Sequence, residues 1–160
     1  MDLLGIESIE EVEIDGKKFT KIYWENGRVA ELKNRAGTVL KKIALNYGKT
    51  PLAIRQEWII RMQGESRRLV PLYISRALNF LPVKTKEGIS YVNVAYNADI
   101  YGSAVRFLRS GRKILTKWKE GTLRRRMTLA MRFALKDEIR RKREEESLEN
   151  LDIEWYLKNI

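Results

Sequence analysis

Apolar and polar positions along this chain change rhythm several times, and each change marks an element. Between Ile9 and Leu32 the period is two. Val12 and Ile14 alternate with Glu11 and Glu13, and Phe19, Ile22, Tyr23 and Trp24 form a return strand after Asp15-Gly16. Both residues of that dipeptide tolerate positive φ, so it predicts a two-residue hairpin turn. Asn26-Gly27 predicts a second turn into Val29 and Leu32, completing a β-meander with an acidic edge. From Thr38 to Tyr47 the period becomes helical: Val39, Leu40, Ile43, Ala44 and Tyr47 share one side, with Thr38 as the expected cap and Gly48 as the stop. Thr50-Pro51 predicts a second helix start, since a proline in the first turn has no hydrogen bond to lose. Leu52, Ile54, Trp58, Ile59 and Met62 supply its apolar contacts, and Arg55 and Arg61 are expected to face outward.

Three β-rich runs follow at 69–73, 80–83 and 89–96, punctuated by Pro71, Pro82 and Gly88. Val105 to Leu108 and Lys113 to Trp118 predict a hairpin around Ser110-Gly111. Thr122 is the expected cap of a long helix reaching about Glu146, and Leu148 to Leu157 reads as a short amphipathic helix carrying Leu151, Trp155 and Tyr156. The expected fold class is α+β, a mixed or antiparallel sheet with interspersed helices and a long basic C-terminal helix. No internal repeat or Ser/Pro linker interrupts the chain. It divides into a single domain over residues 1–147 and a short C-terminal amphipathic segment over 148–160.

Charge changes the picture more than composition does. The 160 residues carry a net +11, but residues 101–143 hold 15 Lys or Arg against three acids, while residues 1–32 and 144–160 are net acidic. Such segregation creates a field that attracts phosphate polyanions. On the long helix, Leu123, Met127, Ala130 and Ala134 fall on one face and Arg125, Arg132, Lys136 and Arg143 near the opposite pole. Between Leu123 and Arg143, arginine outnumbers lysine seven to two. A merely solvated face mixes signs more evenly, and a planar guanidinium suits phosphate oxygens and narrow minor grooves. The candidate nucleic-acid contacts are therefore Arg124, Arg125, Arg126, Arg132, Lys136, Arg140 and Arg143. Arg55, Arg61, Arg67 and Arg68 form the alternative location. Glu144, Glu145 and Glu146 after the basic run support a helix through pairs three and four apart. They also suit an acidic segment competing for the basic surface. Tyr91, Tyr96, Trp118 and Trp58 could stack on bases, although aromatics at alternating strand positions are more often core.

The missing residue types narrow the chemistry. Without His or Cys there is no Ser–His relay, thiolate nucleophile or conventional zinc site. The acids crowd into the two ends, leaving only Glu57, Glu65, Glu87 and Asp99 in the middle before Glu120. The expectation is a non-enzymatic protein with no cofactor and no metal. Met1 to Gly5 has neither a basic leader nor an apolar run, and no stretch approaches eighteen apolar residues. Together with the absence of cysteine this leads to the expectation of a cytoplasmic protein with no membrane partner.

From Tyr47 onward the order of landmarks resembles the ComK family, competence transcription factors of low-GC Gram-positive bacteria. Tyr47-Gly48-Lys49-Thr50 followed by Arg55 is similar to the family's aromatic-Gly-Ser-Ser stretch and arginine-bearing segment. Val70-Pro71-Leu72-Tyr73-Ile74-Ser75 is similar to its proline-led strand, and Phe80-Leu81-Pro82 to its aromatic-x-Pro element. Tyr91–Tyr96, Phe107–Arg112 and Thr122–Ile139 echo the later strand, hairpin and basic helix. The chain departs from the family where Ile54 replaces the usual glycine before the arginine, and where Ser90-Tyr91-Val92-Asn93 replaces a Cys-x-Trp motif. The resemblance, spanning about 100 residues, implies double-stranded DNA binding at paired A/T runs, mainly through the minor groove, by an assembled homo-oligomer. It adds Lys49 and Arg55 as a second contact patch. Two other readings use the same basic surface: an RNA- or ribonucleoprotein-binding accessory protein, and a non-enzymatic, phage-encoded interaction protein that docks an acidic partner.

Overall fold

The first hairpin sets the frame. Strands β1 (Ile6–Ile14) and β2 (Lys17–Trp24) are joined by Asp15-Gly16 with φ of 52° and 76°, the paired left-handed conformation of a two-residue turn. Strand β3 (Val29–Leu32) follows through Asn26-Gly27, where Asn26 Oδ1 accepts from the Arg28 N–H at 2.9 Å. The computed structural model describes residues 3–96 and 98–159, and within the last helix it describes no side chains from 148 to 156.

Two helices come next, α1 (Ala36–Asn46) and α2 (Pro51–Arg61), then strands β4 (Leu72–Ser75), β5 (Leu78–Thr85), β6 (Gly88–Asn93), β7 (Ala98–Tyr101), β8 (Ala104–Phe107) and β9 (Lys113–Leu115), and helix α3 (Glu120–Asn159). Six strands form one antiparallel sheet in the order β3-β2-β1-β6-β5-β4, and three form a second in the order β7-β8-β9. The fold is α+β with antiparallel sheets and a long C-terminal helix. Alternation along β5 separates the layers: Phe80 packs with Ile9, Ile22, Leu40 and Ile43 under α1, and Leu81 and Val83 pack with Val105, Phe107 and Leu123. One face of the large sheet thus carries α1 and the other carries the small sheet and the start of α3. Pro82 sits opposite Tyr91 of β6, beyond the point where β4 stops pairing with β5 at Leu72–Phe80. There a missing N–H interrupts no ladder on the β4 side.

A third cluster closes the edge of the sheet. Phe133 of α3 meets Trp58 at 5.4 Å and Tyr73 at 5.9 Å between ring centroids, with Met62 and Val70 packed beside them. α2, β4 and α3 converge there.

Several local expectations are corrected. The cap of α1 is Arg35, not Thr38, because the helix begins one turn earlier to bury Ala36; Thr38 donates its backbone N–H to Arg35 O at 3.0 Å. Thr122 likewise lies inside the first turn of α3, and the Leu123 N–H reaches Lys119 O at 3.0 Å. α3 runs through residues 147 and 148 without a break, since neither Gly nor Pro stands there to stop it. The apolar positions expected at Leu151, Trp155 and Tyr156 lie outside the described side chains. Arg61 turns inward, onto Asp137 and the Phe133 ring, and Leu52 is exposed. Strand β7 has no counterpart in the sequence reading. The run read through Tyr96 stops at Asn93, whose side chain bonds Asn79 N, Ala95 N, Ile6 O and Ala77 O at 2.8–3.2 Å and turns the chain away. The meander, the Thr50 cap on Ala53 N at 3.2 Å, and the inward face of α3 at Leu123, Met127 and Ala130 stand as expected.

Phe133→Ala should destabilise the protein by about 3–5 kcal/mol, the usual cost of a buried aromatic truncation, and free the Trp58 ring. Urea unfolding followed by tryptophan fluorescence measures both; a loss well under 1 kcal/mol would mean the edge cluster does not hold α3.

Candidate nucleic-acid interface

Thr50 and Pro51 start α2 so that Ile54 and Trp58 point inward and Arg55 points out. The 62–71 loop is pinned against that helix. Trp58 Nε1 donates to Ser66 O at 3.2 Å, Arg55 Nη2 to Arg67 O at 3.2 Å, and Arg68 N to Ser66 Oγ at 3.2 Å. Leu69 closes the loop with φ of 50°, a left-handed conformation that costs a branched residue energy and marks a tightly determined segment. Across from this loop, the Lys117 N–H bonds Lys84 O at 2.8 Å, which brings Trp118 beside β5. The Arg126 guanidinium lies over the Trp118 ring at 4.3 Å.

These elements enclose a groove of about 610 Å³ lined by Pro51, Ile54, Arg55, Arg67, Arg68, Leu69, Val70, Leu72, Lys84, Trp118 and Arg126. Its floor is apolar, its rim is five cations, and no acid lines it. A smaller hollow adjoins it, sharing Arg68, Leu69 and Arg126 and adding Arg125. Burial, and then the neighbouring charge of Arg125, hold the Arg126 guanidinium below its ordinary proton affinity. It stays cationic at any ordinary pH. A half-buried cation beside other cations gains from any counter-charge brought to it.

Asp137 organises the opposite side of α2. Arg61 donates to its Oδ1 at 2.6 Å and Arg140 at 3.1 Å, while Arg141 Nε lies 3.0 Å from Oδ2, out of line for a hydrogen bond. Burial by itself raises this carboxyl, but the bonds from Arg61 and Arg140 and the charges of Arg141 and Arg61 outweigh it and hold the group below the usual carboxylate value. Lys49 belongs to this neighbourhood. It sits 5.6 Å over the Tyr73 ring, and burial, followed by the charge of Arg141, lowers its proton affinity.

The nine sequence-predicted contacts therefore separate. Arg55 and Arg126 meet in the groove with Arg125 next to them, so two patches distant in sequence become one. Arg125 is also held by Glu65 at 3.0 Å, Arg124 by Glu120 at 2.8 Å and Ile100 O at 3.2 Å, and Arg140 by Asp137 and Glu144. Arg132, Lys136 and Arg143 are exposed, with no acid partner among the described residues, and lie farther along the outer face of α3. Lys49 does not join the groove. Lys84 was missed, and Trp118 gained its place only through the backbone bond to β5; Arg67-Arg68 was legible as a basic pair in an acid-free stretch. Trp58 is core, while Tyr91 and Tyr96 are half-buried, and the Tyr96 hydroxyl accepts from the Gly5 N–H at 2.7 Å.

Comparison with known proteins returned no matching family model, curated protein or solved structure. No helix among the described residues is long and apolar enough to cross a membrane.

Asp137 makes stability depend on acid pH in a defined direction. Its native value lies below that of the unfolded chain, so its contribution is complete well above about pH 4 and disappears as the pH falls through the native value. Glu11, pushed up by burial but held down overall by Arg35 and Lys18, acts in the same direction. Asp137→Asn should lower Tm near neutral pH and leave a shallower fall of Tm between neutral and acid conditions, measured by calorimetry. An unchanged acid slope would remove Asp137 as its source.

Proposed function

We propose that this protein is a non-enzymatic regulator of transcription that binds double-stranded DNA, with A/T-rich minor-groove sites preferred. The observation that carries this reading is the acid-free groove where Arg55, Arg67, Arg68, Lys84 and Arg126 converge. Phosphate contacts dominate the affinity of DNA-binding proteins, and a cluster of unneutralised guanidinium groups gains most from a polyanion. Arginine predominates among these cations. It is the side chain best rewarded by the negative potential of a narrow A-tract minor groove. The motif order that resembles the ComK family supports the same assignment, because Arg55, similar to the arginine that follows the family's aromatic-Gly stretch, stands on the groove. The reading implies a cytoplasmic protein that needs no cofactor.

One observation favours an RNA-binding alternative. The groove floor of Ile54, Leu69, Val70 and Leu72, with Trp118 at its side, offers unstacked bases an apolar surface as well as charge. A duplex presents phosphates and needs no such floor.

Fluorescence anisotropy with A/T-tract duplex, G/C-rich duplex and structured RNA, each over a range of salt, separates the two. The A/T duplex should bind most tightly at matched salt. The folded Arg55→Glu/Arg68→Glu/Arg126→Glu triple variant should lose affinity for every duplex, with the log–log salt slope falling by about one for each lost phosphate contact. Preference for structured RNA over every duplex would replace DNA with RNA as the ligand. Unchanged binding by the triple variant would move the interface to the Arg132–Lys136 face of α3.

A further inference from the structure

Besides Leu157 near its end, three large apolar side chains of α3 remain in water among the described residues. Met131 is 55% exposed, Leu135 57% and Ile139 43%, and their four-residue spacing stacks them in one stripe. A helix normally buries side chains of this size at this spacing. The stripe is separate from the candidate interface, lying roughly a quarter turn around the helix from Arg125, Arg132, Lys136 and Arg143. Beside it is a hollow of about 240 Å³ bordered by Tyr73, Asn79 and Val94. The helix also overhangs its own domain: every side chain from Arg140 to Ser147 is exposed, and the helix continues to Asn159.

We infer that this stripe is covered by a second copy of the chain, with the two α3 helices antiparallel across a twofold axis at Leu135. The charges select this occupant. In such a pair, residues equally distant from Leu135 face one another, so Leu135 meets itself and Met131 meets Ile139. Arg124 then meets Glu146, both of them close to the line of the stripe. Among the described residues of one chain, Arg124 is held by its exposed neighbour Glu120 and the Ile100 carbonyl, and Glu146 by nothing. A parallel pair would instead set Arg124 against Arg124 and Glu146 against Glu146. An anionic lipid surface would meet Glu138 and Glu146 beside the apolar stripe.

The antiparallel overlap from Arg124 to Glu146 spans about 33 Å of helix. It also gives the overhang a purpose, since the far half of each α3 reaches the neighbouring copy's domain. A twofold axis perpendicular to both helices leaves the two outward Arg132–Lys136 faces on the same side, as one continuous basic surface. The pairing stands on the stripe and its charges and does not depend on what that surface binds.

The chain has no native cysteine, which makes cross-linking decisive. Leu135→Cys should form a disulfide-linked dimer under mild oxidation. Met131→Cys alone should not, because the two copies would sit about 12 Å apart along the antiparallel pair; mixed with Ile139→Cys it should. In sedimentation equilibrium the full chain should be a dimer and Leu135→Lys a folded monomer. Arg124→Glu and Glu146→Arg should each weaken the dimer by about tenfold or more, and the double variant should recover it. A monomeric wild type at high concentration, self-cross-linking of Met131→Cys, or failure of the double variant to recover would overturn the inference. A monomer that sediments with anionic vesicles would likewise overturn it and give the stripe to a lipid surface.

Discussion

The docking of Phe133 between Trp58 and Tyr73 is the contact on which the working surface of this protein depends. It joins α2, the edge strand β4 and α3, three elements that share no other large cluster. The edge of a sheet is normally a liability, with unpaired backbone groups and half-covered side chains. Here it becomes the floor on which two helices meet. The same cluster fixes the angle between α2 and α3, and with it the width of the groove between them. Trp58 serves both purposes, packing its ring on Phe133 while its indole N–H holds the 62–71 loop at Ser66.

Around this cluster the cations divide into two populations. On one side, Arg61, Arg140 and Arg141 converge on buried Asp137, and Arg61, reaching across from α2, ties that helix to α3. On the other, Arg55, Arg67, Arg68, Lys84 and Arg126 face a groove that no acid lines. The net charge of +11 therefore overstates how much positive surface is available and understates how concentrated it is. With Asp137 on one side of α2 and no acid lining the groove on the other, a brace and an open cationic groove lie within a few turns of helix.

α3 carries three functions on three faces. Leu123, Met127, Ala130 and Phe133 anchor it, Arg125, Arg132 and Lys136 face outward, and Met131, Leu135 and Ile139 form the flank proposed to meet a second copy. The inward arc is wider than the stripe of Leu123, Met127, Ala130 and Ala134 expected from periodicity. The helix is wedged between the sheet edge and α2, so Phe133 and Asp137 are buried as well.

Local chemistry determined much of this protein. Asp15-Gly16 could hardly make anything but a tight turn, Thr50-Pro51 had to begin a helix, and the sign segregation of residues 101–143 made that stretch strongly positive. These features act over a few residues and need no partner elsewhere in the chain. The sheet order, with β1 beside β6, the separate strand β7, and the meeting of Arg55 with Arg126 all depend on contacts between segments far apart in sequence. Even cap positions moved, because burying Ala36 outweighed the preference of Thr38 for a helix start. Whether an arginine is a brace or a free charge follows from what the fold sets opposite it. Arg61 and Arg55 lie on the same helix with opposite outcomes, and only the packing of α3 against α2 decided between them.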